Sequence, residues 1–248
     1  MLEKRHFYIN GQWVAPAQPH DLHVIDPSTE EKVAVISLGS QADTDAAVAA
    51  ARAAFPTWAA FPLEERLAPL ERLLSLYIDG KEDMAEAMTK EMGAPRKLAA
   101  GSQWGAGKSH ITEAIRAARA YSFAEKSGDD WLFHEPIGVA ALITPWNWPM
   151  NQITLKVIPA LAVGCTVVLK PSEIAPLSSL VLADMIHEAG FPPGVFNMVN
   201  GDGAGVGTQL SVHPDVDMVS FTGSTRAGAL ITKNAAESVK RVLSLIHI

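Results

Sequence analysis

Across residues 137–235 the chain repeats one pattern four times: a short apolar, β-branched run followed by a stretch of helical texture. "IGVAALI" leads into "MNQITLKVIPALAVG", and "CTVVLK" into "PLSSLVLADMIHEAG". "VFNMVN" leads into "GAGVGTQLSV", and "DMVSFTG" into "TRAGALITKNAA". Strand–helix alternation of this kind predicts an α/β fold, a parallel sheet with covering helices. No repeat of fixed period and no low-complexity linker interrupts the chain.

The part before it, over about residues 40–124, is dominated by helical pattern. "DTDAAVAAARAAFPTW" offers Asp43 or Thr44 as N-cap and is expected to end at Pro56. "PLEERLAPLERLLSLYIDG" begins at Pro62 and ends at Gly80, the usual asymmetry of helix termini, with Pro69 expected to kink or divide it. "KEDMAEAMTKEMG" predicts a third helix closed by Gly93, and a fourth is expected from about Leu98 to Phe123. Ahead of these, "HFYINGQWV" carries an Asn-Gly hairpin signal between two strand-like runs.

Composition narrows the functional classes. With 48% hydrophobic and 19% charged residues, a packed core is expected. A net charge of −7 argues against a nucleic-acid binder, which needs a basic face. The chain has one cysteine, Cys165, so an internal disulfide is impossible and a reducing compartment is expected. "MLEKRHFYINGQW" lacks the apolar core of a signal peptide. The uncharged stretch from Val157 to Leu169 is too short to span a bilayer. These features predict a cytoplasmic protein with no membrane and no nucleic-acid partner, and no metal-ligand spacing stands out.

Ligands of open parallel sheets gather at the carboxyl ends of the strands. The first strand end is "TPWNWP", where Pro145 and Pro149 stiffen a turn that carries the amide of Asn147. The second is "KPSE", with Lys170 and Glu173; the third is the glycine-rich "NGDGAGVG". The fourth is "FTGSTRAG", where Gly223 permits a tight turn and Ser224 and Thr225 can cap a helix whose backbone N–H groups suit a phosphate. Each has a plainer explanation: a turn, a helix cap, a solvated lysine. Gly201, Gly203 and Gly207 do not even match the usual dinucleotide spacing. Together, however, an amide, a cation, a carboxylate and a phosphate-cradling helix start are what a dinucleotide requires. "SQWGAGKS" ends like a P-loop in Gly107, Lys108 and Ser109, but Ser102 replaces the first glycine and no strand precedes it.

"TPWNWP", "ALAVGCTVVLKPSEIAP", "GFPPGVFNMVNG" and "VSFTGSTRAG", in this order and spacing, resemble the aldehyde dehydrogenase superfamily. The similarity covers about Phe7 to Val242 and so describes residues 1–242 as an N-terminal and cofactor-binding unit. It implies a Rossmann-like sheet, NAD or NADP as cofactor, an aldehyde as substrate and a homo-oligomeric full-length enzyme, dimer or tetramer. Carried over residue by residue, it makes Asn147 the oxyanion-hole amide, the one catalytic group. Thr144, Pro145, Trp146 and Asn147 itself would line the cofactor cleft with Phe221 and Thr222. Lys170, Ser172 and Glu173 would sit at the adenosine ribose, with Glu173 favouring NAD by repelling a 2′-phosphate. Gly203 and Gly207 would let the backbone approach the adenine side, and Gly223 with Ser224 would hold the pyrophosphate. Trp148, Asn151 and Leu155 share a helix face and would line the aldehyde tunnel.

The sequence departs from the family at its end, where "LSLIHI", residues 243–248, follows "VKRV" in place of the family's Glu-Leu-Gly-Gly-Lys run. The expectation is a fragment without the catalytic cysteine, the general-base glutamate and the C-terminal strand of the family's oligomerisation sheet. Cys165 opens an apolar strand and is expected to be an inert core thiol. Two hypotheses follow: the cofactor-binding part of an aldehyde dehydrogenase, or a non-catalytic dinucleotide-binding or interaction protein.

Overall fold

A computed structural model describes residues 1–245. The N-terminal part runs β1 (Leu2–Lys4), β2 (Phe7–Ile9), β3 (Gln12–Val14), β4 (Asp21–Ile25) and β5 (Lys32–Ser37). The helices α1 (Gln41–Ala60), α2 (Leu63–Asp79), α3 (Lys81–Met92) and the single turn α4 (Arg96–Leu98) follow. A π-helical turn over Ala99–Gln103 then leads into α5 (Trp104–Ala120), and the β6 (Ala124–Ser127) and β7 (Asp130–Phe133) hairpin closes this part. The α/β part runs β8 (Val139–Ile143), α6 (Pro149–Val163), β9 (Thr166–Lys170), α7 (Leu177–Ala189) and β10 (Phe196–Met198). It continues with a π-helical turn over Gly203–Gly207, α8 (Thr208–Val212), β11 (Met218–Thr222), α9 (Thr225–Ala235) and β12 (Arg241–Leu245).

The four expected strands, β8 to β11, form one sheet with the unexpected β12 in the order β12-β11-β8-β9-β10, every neighbouring pair parallel. The chain leaves β8 toward β9 and β10, then returns to its other side for β11 and β12. That reversal is the topological switch point of a Rossmann-like sheet. The Asn-Gly hairpin β2–β3 also forms, and it extends the sheet antiparallel beyond β10, so the whole is mixed and seven-stranded. A separate three-stranded sheet is ordered β1-β5-β4.

Alternation along the strands explains the two covering layers. Ala140, Leu142, Val167 and Leu169 face a core built with α2, α3, α5, α6 and α7. Val139, Ala141, Ile143, Val168 and Val219 face the opposite core, which Val48 of α1, Leu210 of α8 and Ile231 of α9 complete.

Several local expectations are corrected. Helix α1 is capped by Ser40, whose N–H Asp43 accepts at 2.8 Å, so Asp43 is the N3 partner of a capping box rather than the cap. Pro56 does not end α1: Trp58, 1% exposed, is anchored by its indole N–H to the Leu161 carbonyl at 3.2 Å. Pro69 likewise lies inside an unbroken α2, whose Leu67, Leu70, Leu73 and Tyr77 are all buried. Burial of the next turn outweighs the one helical bond each proline forfeits. The fourth helix opens with the π-helical turn instead of running regularly from Leu98, and it ends at Ala120. β12 crosses Val242 to Leu245 and pairs Leu243, Ser244 and Leu245 with β11, so residues 243–245 belong to the sheet. Residues 246–248 lie outside the described part. The P-loop-like run lies in the π-helical turn and α5, where a Cβ on Gly107 would strike the Tyr77 phenol. Among the described residues, no helix is long and apolar enough to cross a membrane.

Candidate cofactor and active site

Strand register brings three of the four loops level. Ile143 pairs with Lys170 in β9 and with Phe221 in β11. "TPWNWP", "KPSE" and "TGST" therefore leave one edge of the sheet side by side. Met198 pairs with Leu169, so the glycine-rich turn emerges beside them.

Thr144 is 4% exposed and donates its N–H to the Lys170 carbonyl at 3.2 Å, tying the first loop to the second. Pro145 is half-buried, while Trp146 and Asn147 are exposed. Trp148 is the N-cap of α6 and Pro149 its first residue, so Asn147 stands just outside a pre-organised helix start. Trp148, Asn151 and Leu155 are all partly exposed on that helix, and Asn151 Oδ1 lies 2.9 Å from His110 Nε2 on α5.

Lys170 is 3% exposed and its Nζ donates to the Gly201 carbonyl at 2.5 Å and to Glu173 Oε2 at 3.1 Å. Burial pushes its ammonium pKa down, and Glu173 and Asp202 pull it back up. Ser172 is buried and its hydroxyl accepts the Ile174 N–H at 3.3 Å, folding the loop so that Glu173 stays partly exposed. Gly207 lies beside Lys170: a Cβ there would sit 3.9 Å from Lys170 Cδ. Gly203 is exposed, and a Cβ on it would meet nothing within 4 Å.

In the last loop a Cβ on Gly223 would come within 2.5 Å of Phe221 Cζ, and that ring is 5% exposed. Glycine is needed there by close approach. Ser224 is the N-cap of α9, its hydroxyl accepting the Ala227 N–H at 3.3 Å, and the first turn of α9 is exposed.

The chemistry of this edge suits a polar ligand. Thr144 Oγ1 and Thr222 Oγ1 are both buried, each one residue beyond the paired Ile143 and Phe221, without a hydrogen-bond partner among the described residues. Both side-chain atoms of Asn200, just after β10, are in the same condition. Buried polar groups are nearly always satisfied, so three such residues in neighbouring loops fit a bound polar molecule.

Cys165 lies on the far side of this arrangement. It precedes β9, whose other end is Lys170; five residues of strand place the two about 16 Å apart. The thiol is 4% exposed, and burial pushes its pKa up. Lys156 and Glu91 carry no sequence signal of their own, and only packing reveals them. Lys156 on α6 is buried, donates to Ser220 Oγ at 3.0 Å, and is pushed down to about 8 by burial. It borders an open groove of about 550 Å³ with Leu142, Cys165, Met218 and Leu243. Glu91 on α3 is 1% exposed and is pushed up to about 7 by burial against hydrogen bonds from Ser178 and Leu177. Among the described residues, no group of three or more His, Cys, Asp or Glu is placed to hold a metal ion.

Comparison with known proteins agrees with the topology. The model of the aldehyde dehydrogenase family matches residues 13–246. A 3-succinoylsemialdehyde-pyridine dehydrogenase from a Pseudomonas species is 52% identical over 243 residues, covering 98% of this chain and 51% of that protein. The crystal structure of an aldehyde dehydrogenase from Bartonella henselae superposes with a TM-score of 0.97 at 56% identity, covering 99% of this chain and 52% of that one. A cysteine-to-alanine mutant of aldehyde dehydrogenase C from Pseudomonas syringae, solved with NAD+ and octanal, gives 0.96 at 50% identity, covering 98% and 50%. The chain spans about half the length of the curated relatives it matches.

Proposed function

Because the chain belongs to the aldehyde dehydrogenase family, we propose that its strand-end loops form the cofactor side of a site that oxidises an aldehyde with NAD. The observation that carries this reading is the level register of Ile143, Lys170 and Phe221 at the switch point. It delivers a cation, a carboxylate, an amide and an exposed helix start to one edge. Lys170, Ser172 and Glu173 hold the adenosine ribose, and the Glu173 charge disfavours a 2′-phosphate, hence NADP. Gly207 and Gly203 let backbone approach on the adenine side. Gly223, Ser224 and the first amides of α9 take the pyrophosphate. Thr144, Pro145 and Trp146, with Phe221 and Thr222, line the cleft between them.

NAD, when bound, supplies the hydride acceptor. Asn147 offers its side-chain amide to the oxygen of the aldehyde carbon as negative charge develops there, from a turn that two prolines keep still. Trp148, Asn151 and Leu155 wall the approach for the aldehyde. The exposed β6–β7 hairpin, with Trp131, Leu132 and Phe133, is the surface we assign to self-association.

Cys165 takes no part, being buried at the opposite edge. For this chain taken by itself, that position favours the second reading, a dinucleotide-binding unit without turnover. Titrating NAD and NADP into the purified chain, with Trp146 and Trp148 as fluorescent reporters, tests the cofactor assignment. NAD is expected to bind more tightly than NADP, and Glu173→Gln to narrow the difference. Equal affinity in the unaltered chain counts against the role of Glu173. Mixing the chain with NAD and aldehydes should give no reduced cofactor; turnover that disappears in Cys165→Ser would overturn the reading of that thiol.

A further inference from the structure

The loop Pro171–Pro176, which carries Glu173, joins two rigid elements with only six residues. Its upstream end is fixed by the strand pairing of Lys170 and by the two hydrogen bonds of that lysine. Its downstream end is the start of α7. There Pro176 stands at the N-cap and offers no side-chain acceptor. The N–H groups of Leu177 and Ser178 are thus left without intrahelical partners in residues that are 5% and 0% exposed. The Glu91 carboxylate fills that place from α3. It accepts the Leu177 N–H, the Ser178 N–H at 3.1 Å and the Ser178 hydroxyl. A helix cap normally comes from the preceding residue; here it comes from 86 positions upstream. The same contact has an electrostatic consequence. Helix α7 has its positive end met by a protein carboxylate, whereas the first turn of α9 is exposed to an incoming anion.

We propose that Glu91 is a positioning residue for the cofactor, fixing the start of α7 so that Lys170 and Glu173 meet the ribose hydroxyls together. The inference rests on the ribose role given above to those two residues. A six-residue loop with internal bonds from Ala175 N–H to the Ser172 carbonyl and from Ile174 N–H to the Ser172 hydroxyl has little slack. A shift of Leu177 is therefore passed on to Glu173.

The test measures binding of AMP and 2′-deoxy-AMP to the full chain in mildly alkaline buffer. The wild-type chain is expected to prefer AMP by about tenfold, the worth of one hydrogen bond to a charged group. Glu91→Ala should bring that ratio close to one while 2′-deoxy-AMP binds as before. Glu91→Gln keeps the side-chain shape and should fall in between. A generally weakened fold would lower both affinities alike and leave the ratio unchanged. If Glu91→Ala does not fold, Glu91→Gln is read by itself. Wild-type preference retained in the folded Glu91 variants, but lost in Glu173→Gln, overturns the inference and leaves the ribose reading intact. Equal binding of the two nucleotides by the wild-type chain removes the ribose reading, and this inference with it.

Discussion

Lys170 Nζ and the carbonyl oxygen of Gly201 are 2.5 Å apart, a buried bond between the end of β9 and the loop that follows β10. The same ammonium holds Glu173. One side chain thus fixes the relative position of two loops assigned to the adenosine half of NAD. Lys170→Met should leave the carbonyl and the carboxylate without their donor, costing about 1–3 kcal/mol of stability. NAD affinity should fall by about tenfold or more. Urea denaturation and an NAD titration check the two arms. A variant as stable as wild type, with unchanged affinity, would show that this bond is not what orders the loops.

Gly223 and Gly203 make a matched pair with opposite expectations. A Cβ at Gly223 meets the buried Phe221 ring at 2.5 Å, whereas one at Gly203 meets nothing within 4 Å. Gly223→Ala should cost about 1–3 kcal/mol through overpacking. Gly203→Ala should stay within about 0.5 kcal/mol, as for other exposed sites. Thermal melts of the two variants give the comparison, and equal effects would contradict the close approach at Phe221.

Strand ends were readable because each combines a β-branched run with a turn whose glycine, proline or charge has a local cause. The spacing of "TPWNWP", "KPSE" and "FTGSTRAG" carried the fold and pointed to the candidate site. What sequence reasoning missed depends on partners far along the chain. Pro56 looks like a helix end until Trp58 is seen bonded to Leu161. The hairpin β2–β3 is legible, but its docking beside β10 is set by long-range pairing of Tyr8 with Met198. Glu91 and Lys156 read as ordinary helix-face charges, because Ser178 and Ser220, which satisfy them, lie 87 and 64 positions away. The strand β12 was obscured because the residues after "VKRV" read as a tail, although "RVLSL" is mostly apolar and long enough to pair.

Asn147 gives a prediction that separates chemistry from folding. It is exposed, so Asn147→Ala should alter stability by less than about 0.5 kcal/mol. NAD affinity should also be unchanged. In a longer enzyme that joins this chain, after strand β12, to a family catalytic domain, kcat should fall about 10²–10³-fold, the usual cost of one oxyanion donor. A loss confined to KM would instead mean that Asn147 only binds the aldehyde.

Lys156 gives a pH dependence with a definite sign. Its folded pKa is pushed down to about 8 by burial, below the ordinary 10.5. Between those values the unfolded chain holds a proton that the folded chain has released. Stability therefore rises with pH across that window, and the cost of the buried charge is felt fully only below it. Lys170 and Lys240 shift in the same direction, while Tyr8 and Tyr77, pushed up by burial, act oppositely at higher pH. Comparison with Lys156→Met removes these shared contributions. The stability of wild type minus that of Lys156→Met, from urea denaturation at steps through the window, should climb as pH rises. A flat difference would mean that Lys156 keeps the proton affinity of an exposed lysine, and that its bond to Ser220 opens readily to water.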